Sequence, residues 1–310
     1  MNGNGDFLLN VQADTGFIET DRIRELTERS LAYVTAGYPV HFCGPAGSGK
    51  TTLALRLAEQ IGRPVALIYG DDETRSSDLV GGPSGFSRHR LVDNYIHTVL
   101  KTEESMNQHW VDQRLLVACR EGLTLVYDEF TRSRPEANNV LLSILEERVV
   151  SLPSLKMNGS YIRVHPNFVA IFTSNPEDYV GVHQAQDALR DRLVTMYLDS
   201  FDWETEVAIT RSRSGLSHEE ATMVVSIVRG FRGLDGHGLR HSIRDCIKIA
   251  KILCQLHARA RPDDPVFMQT CRDMLVSQVP FSEAPRAWER LQGLLKRNIM
   301  QDVMASQTAN

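Results

Sequence analysis

HFCGPAGSGKTTLAL, residues 41–55, places an apolar stretch, a glycine-rich turn and a helix-forming run end to end. The turn and its flank fit the spacing Gly-x-x-x-x-Gly-Lys-Ser/Thr through Gly44, Gly49, Lys50 and Thr51. Chemistry explains the residue types. Glycines let successive backbone N–H groups wrap phosphate oxygens, and the N-terminus of a following helix favours negative charge. A lysine at position 50 can reach the β and γ phosphates of a nucleotide, and the Thr51 hydroxyl can bind Mg²⁺. Gly44, Pro45, Ala46, Gly47, Ser48, Gly49, Lys50, Thr51 and Thr52 are therefore the expected nucleotide-binding residues.

A second signal lies downstream. LTLVYDEF, residues 123–130, reads as a buried strand ending in the carboxylates Asp128 and Glu129. One acid near Mg²⁺ and a second that polarises the attacking water are what phosphoryl transfer to water requires. The next apolar strand ends in Thr173, Ser174 and Asn175, and the asparagine could orient that water. Arg190 and Arg192 in ALRDRLV could bring a guanidinium to the phosphates of a neighbouring subunit, in which case catalysis requires assembly. Arg244 in RHSIRD could contact phosphate from a second domain.

Around these motifs, PVHFC (39–43), VALIY (65–69), LTLVY (123–127), FVAIF (168–172) and LVTMYL (193–198) are nearly all apolar, as strands buried on both faces are. Helical patterns between them predict a parallel sheet in an α/β layer structure. A helix is expected from Pro135 in RPEANNVLLSILEERVV, followed by a β-hairpin turning at Asn158-Gly159. Beyond Trp203 strand signals fade. EEATMVVSIVRGF and SIRDCIKIAKILCQLHARA have helical periodicity, and the Arg-Pro-Asp-Asp-Pro stretch at 261–265 separates the second from a further helix. The expected organisation is an N-terminal arm plus ATPase domain over 1–203 and a helical lid with a tail over 204–310. MASQTAN is expected to fray.

The chain of 310 residues is long enough for two modest domains. Lys and Arg total 34 against 39 Asp and Glu, so the net charge of -5 gives no global reason to expect nucleic acid. The N-terminus lacks a basic start and a long apolar run, and no stretch approaches a membrane span, which together read as cytosolic. Five scattered cysteines suit reduced thiols. His237 and His241 share helical i, i+4 spacing, but glycines beside them and the absence of an acidic third ligand argue against a metal site.

In this order the elements resemble those of an AAA+ ATPase of the branch that carries a hairpin before its first sensor. GFIET, GDDETRSSDLVG, LVDNYIHTV, LVYDEFTRSRPEANNVLLSILEE and YIRVHPNFVAIFTSNPEDYVGVHQAQDALRDRL together look like the gas vesicle protein N family of MoxR-like ATPases, over roughly residues 15 to 260. The resemblance implies an α/β P-loop core with its parallel sheet between helices, a β-hairpin before sensor 1 and a small all-α C-terminal lid. It implies ATP and Mg²⁺, a homo-oligomeric, hexameric ring, and a cytoplasmic place at or on the gas vesicle. By motif, Gly44 to Thr52 are Walker A, Asp128 and Glu129 Walker B with Asp128 and Thr51 on the metal, and Asn175 sensor 1. Arg192 or Arg190 is the arginine finger, and Arg244 or Arg240 sensor 2. Partners implied are other gas vesicle proteins, shell or accessory, and a protein with a von Willebrand factor A domain.

Three functions compete: a chaperone-type motor acting during vesicle assembly, a nucleotide-gated adaptor that scarcely turns over, and a nucleic-acid translocase. Glu129 favours the motor, because binding alone needs no water-polarising acid. The hairpin SLPSLKMNGSYIRV has only Lys156 and Arg163 as basic residues and few stacking partners, which disfavours the third.

Overall fold

The computed structural model describes residues 8–9, 17–93, 101–151, 161–176, 181–183, 187–234 and 242–308. The readings at Asn158-Gly159, His237, Arg240 and His241 lie outside the described residues. By contact the chain divides into two compact units. One is built from Thr27–Cys43 and Lys50–Tyr197, the other from Gly44–Gly49, Leu198–Asn310 and the start of the first helix.

In chain order the first unit carries β1 (Leu8–Leu9), α1 (Asp21–Thr35), β2 (Val40–Cys43), α2 (Lys50–Ile61), β3 (Val65–Tyr69), α3 (Ser76–Val80), β4 (Gly81–Asp93) and β5 (Lys101–Asp112). It continues with α4 (Arg114–Glu121), β6 (Thr124–Asp128), α5 (Pro135–Asn138), α6 (Val140–Leu145), β7 (Val149–Ser151), β8 (Tyr161–Arg163), β9 (Val169–Ser174), α7 (Asp187–Arg190) and β10 (Val194–Tyr197). The main sheet runs β1-β3-β6-β9-β2-β10, parallel except for the antiparallel edge β1. All five apolar runs form its parallel strands. Because side chains alternate across a strand, Leu125, Tyr127, Ala170 and Phe172 join α4 and α6 in one buried cluster, while α2 packs against β6, β9 and β2. Phe130 and Phe172 meet edge to face at 5.3 Å within that cluster.

Register aligns the strand ends. Cys43 sits opposite Ser174 and Tyr69 opposite Asp128, so the carboxyl ends of β2, β3, β6 and β9 share one edge. Sequence order does not reveal that β9 is inserted between β6 and β2. The expected hairpin is present as β7 and β8, paired Val149 to Arg163 and Ser151 to Tyr161.

The alternation of strands and helices also fails at a second place. Between β3 and β6 the chain forms a long antiparallel ribbon, β4 with β5, running from Gly81 opposite Asp112 to Asp93 opposite Lys101. Its sequence is rich in charge and glycine and lacks an apolar period of two, so it carries no strand signature. Main-chain hydrogen bonds hold such a ribbon without an apolar face.

The second unit holds α8 (Trp203–Ser214), α9 (His218–Leu234), α10 (Ile243–Gln255), α11 (Pro265–Leu275) and α12 (Ala284–Thr308). Ile243, Cys246, Ile249, Ala250 and Leu253 make one stripe of α10 and are buried against α9, α11 and α12. The Asp-Pro of the break at 261–265 starts α11, with Asp264 capping the backbone N–H groups of Val266 and Phe267. Helix α12 runs to Thr308, into the MASQTAN stretch that was expected to fray. Ala287, Leu291 and Leu295, four residues apart, anchor its earlier turns in the core.

Two titratable groups inside this fold give checks. Glu206 is 1% exposed and takes Arg229 Nε at 2.6 Å and Arg232 Nη1 at 3.2 Å. Removing it strands guanidinium charge, so Glu206→Ala is expected to cost about 3–5 kcal/mol in urea unfolding. His41, in the middle of the sheet, is 7% exposed, and burial followed by the Arg190 charge pulls it from 6.5 to about 4. On acidification the unfolded chain protonates this ring first, so stability present above pH 6.5 drains away as pH falls toward 4. Melting temperature should decline across that window, and His41→Gln should flatten the decline.

Candidate active site

The loop after β2 owes its path to glycine. Gly47 and Gly49 have φ of +82° and +81°, in the left-handed region, and each is crowded. A Cβ on Gly47 would lie 2.5 Å from Ser242 Cβ, and one on Gly49 would lie 2.8 Å from the Phe201 ring. Ser242 is the cap of α10: its hydroxyl accepts the Arg244 N–H at 3.2 Å, and its own N–H donates to Asp245 at 2.9 Å. The serine that opens the Arg244 helix therefore rests on the phosphate loop. Nothing in a motif scan singles out Ser242 or Phe201. Ser48 N–H donates to Pro45 O at 3.3 Å, while the buried Ser48 hydroxyl lacks a partner among the described residues. Thr52 is exposed on the first turn of α2.

Helix α2 begins at Lys50, so its first N–H groups form the positive end that an anion favours. Lys50 is buried, and its ammonium donates to Asn175 Oδ1 at 2.9 Å. Thr51 Oγ1 donates to the Asp128 carboxylate, 2.8 and 3.0 Å from its two oxygens. Thr173 Oγ1 donates to Asp128 Oδ1 and accepts the Glu129 N–H at 2.9 Å. Two hydrogen-bonded sets result, Lys50 with Asn175, and Thr51 with Asp128, Thr173 and the Glu129 N–H, and they adjoin because Lys50 and Thr51 are neighbours in the chain. The place of Thr173 at the end of β9 was visible in sequence, but its bond to Asp128 was not.

Glu129 departs from ordinary geometry. Its φ of 51° and ψ of 39° put a non-glycine residue in the left-handed region, which stores strain of order 1–3 kcal/mol. The turn frees its side chain from the strand direction. About 40% exposed, the carboxylate is ion-paired with Arg132, a contact set by a short 3₁₀ turn that no sequence period announces.

The arginines are placed differently. Arg192 donates to Glu146 on the turn after α6, Nε at 3.1 Å, and to the Ala188 carbonyl. Arg190 ends α7 and is exposed, with its charge felt at His41. Arg192 thus places its guanidinium on Glu146 and the Ala188 carbonyl.

These residues fit a nucleotide triphosphate with a hard cation. Within the first unit, the Lys50 ammonium at the start of α2 and the hydroxyl-carboxylate pair at Thr51 and Asp128 offer what phosphate oxygens and Mg²⁺ require. Thr51 and Asp128 would supply only part of the oxygen shell a hard cation takes, leaving places for phosphate and water.

A family model described as AAA domain (dynein-related subfamily) matches residues 39–193. The chain is 49% identical over 265 residues to the gas vesicle ATPase GvpN of Ancylobacter aquaticus, covering 86% of this chain and 74% of that protein. To the gas vesicle ATPase GvpN of Haloferax mediterranei it is 46% identical over 217 residues, 70% of this chain and 62% of that one. Among solved structures, the RuvB Holliday junction branch migration motor of Thermotoga maritima superposes with a TM-score of 0.50 at 17% identity, over 83% of this chain and 70% of that one. That likeness speaks to the fold alone.

Gly47→Ala tests the loop. The methyl group meets both a disfavoured φ and Ser242, so ATP binding is expected to weaken at least about tenfold. Titration with a fluorescent ATP analogue reads this, with helix content by circular dichroism unchanged.

Proposed function

The chain belongs to the gas vesicle ATPase GvpN family of AAA-domain proteins, and from that premise we propose that it is a chaperone-type motor that spends ATP to assist gas vesicle assembly. It is an ATPase that uses Mg²⁺ and converts ATP and water to ADP and phosphate. The observation that supports the motor reading is the pairing of Lys50 with Asn175 beside that of Thr51 with Asp128, with Glu129 at the next position, a set of groups suited to turnover.

In this reading the Gly44–Thr52 segment cradles the phosphates and Lys50 neutralises the terminal ones. Thr51 and Asp128 would hold Mg²⁺, which would supply positive charge against the phosphate oxygens. Glu129, once turned from Arg132, accepts a proton from the attacking water. Asn175, 2.9 Å from Lys50 Nζ, orients that water against the same γ-phosphate that the lysine contacts. Arg192, released from Glu146, or Arg190 then stabilises transition-state charge on a neighbouring subunit, which makes a homo-oligomeric ring, of six in the simplest case, part of the mechanism. Arg244, on the helix whose cap rests on Gly47, reports nucleotide state to the lid. Residues 1–203 act as arm and ATPase domain and 204–310 as lid and tail.

The work is done on other gas vesicle proteins, shell or accessory, at or on the vesicle in the cytoplasm, with a von Willebrand factor A-domain protein as a candidate adaptor. Two hairpins could bear on such a substrate, the one around Asn158-Gly159 and the ribbon of β4 and β5. Among the described residues no helix is long and apolar enough to cross a membrane. Net charge gives no support to a nucleic-acid substrate.

ATP turnover against protein concentration tests the shared site. Specific activity should rise steeply, fall about a thousandfold in Arg192→Ala or Arg190→Ala, and return in part when that chain is mixed with Glu129→Gln. Activity that is independent of concentration and of both arginines would sink it. In cells making vesicles, Glu129→Gln should abolish vesicle formation while ATP binding persists, and normal vesicles would favour the adaptor.

A further inference from the structure

Four strands lead into the residues given roles above, and one buried side chain reaches all of them. His41 lies on β2, three residues before Gly44. Its Nε2 is 2.8 Å from Ser174 Oγ, on β9, and Ser174 is the residue before Asn175. Its Nδ1 is 3.0 Å from Thr195 Oγ1, on β10, three residues after Arg192. The edge of its ring meets Phe130 at 5.2 Å between centroids and 89° between planes, and Phe130 follows Glu129. Arg190 is near enough for its charge to act on the imidazole.

We infer that His41 is a positioning residue that couples the γ-phosphate side of the site, Asn175 and Glu129, to the segment that carries Arg190 and Arg192. The inference rests on the proposed roles of those residues and adds the element that joins them.

The physical argument starts with the cost of burying an imidazole. A polar ring in a sheet interior is tolerated only when both nitrogens are paired, and here both partners are hydroxyls on different strands. The ring is neutral at working pH, so one nitrogen donates and the other accepts. Because a hydroxyl can do either, the chain Ser174–His41–Thr195 has a consistent direction in each tautomer. A small shift of the β9 end, where Asn175 meets phosphate, changes the Ser174 contact first. The rigid ring passes that change to Thr195 and so to the base of the arginine segment. An apolar side chain of the same volume would fill the space and leave the two strand ends independent.

Substitution can cut the two bonds separately. His41→Gln keeps an amide near the Nε2 position and can hold Ser174, whereas His41→Asn keeps one near Nδ1 and can hold Thr195. If coupling is the role, each variant loses kcat by about ten- to a hundredfold while KM for ATP stays put, since one bond does not transmit. A purely structural histidine would lower the melting temperature and leave kcat of the folded protein intact, so wild-type kcat in either variant overturns the inference. A loss confined to KM does the same.

Arg190→Ala and Arg192→Ala run alongside. If both keep full turnover, the shared-site reading falls and takes this inference with it. If one loses turnover and the histidine variants do not, this inference alone falls. Should both histidine variants fail to fold, the wild-type ring decides. With labelled histidine, the imidazole that stays neutral from about pH 8 to about 5.5 should shift when ADP is exchanged for a non-hydrolysable ATP analogue. A signal identical in both complexes overturns the inference.

Discussion

Asp128 is 6% exposed and carries a carboxylate into the end of a sheet, which the interior tolerates only if that charge is met by donors. Two threonines meet it, Thr51 from the first turn of α2 and Thr173 from the end of β9. Those bonds tie the helix of the phosphate loop, the acidic strand and the neighbouring strand into one unit of geometry. Thr173 also takes the Glu129 N–H, so the residue beside the carboxylate is placed by the same hydroxyl that donates to it. Much of the site follows from the need to satisfy one buried acid, and a hydroxyl–carboxylate pair that satisfies itself can open to a cation without large rearrangement.

Strain and burial are concentrated where chemistry is expected. Glu129 occupies a left-handed backbone conformation that an ordinary strand end would avoid, and its carboxylate is turned outward to Arg132. Lys50 and Asn175 hold one another in a buried pocket. Both are arrangements a ligand can improve, since a phosphate gives the ammonium a better partner and a water gives the acid a task. In the helical unit, loop glycines touch Ser242 and Phe201, residues at or just before the starts of two helices. The Phe201 carbonyl accepts from Arg229, which in turn pairs with buried Glu206. An ion pair in the helical core thus supports the residue lying against the loop.

The ribbon of β4 and β5 shows why local sequence can hide a large element. Strand prediction relies on one buried face, and this ribbon's sequence offers none, so its pairing had no sequence signal. The last helix lies in the stretch expected to be lid and tail, and Ala287, Leu291 and Leu295 dock it in a core that only tertiary packing creates.

Sequence by itself determined the phosphate loop, the adjacent carboxylates, five buried strands, the hairpin before Asn175 and the helical character beyond Trp203. Each is written in spacing or periodicity over a few adjacent residues. Tertiary structure decided what those pieces do to one another. Only the insertion of β9 between β6 and β2 brings Asn175 to Lys50 and Thr173 to Asp128, and only the packing of β2 against β9 and β10 gives His41 a partner on each side. Contacts between residues more than a hundred positions apart are set by strand order, and strand order is chosen by how the whole core packs rather than by any local run of residues.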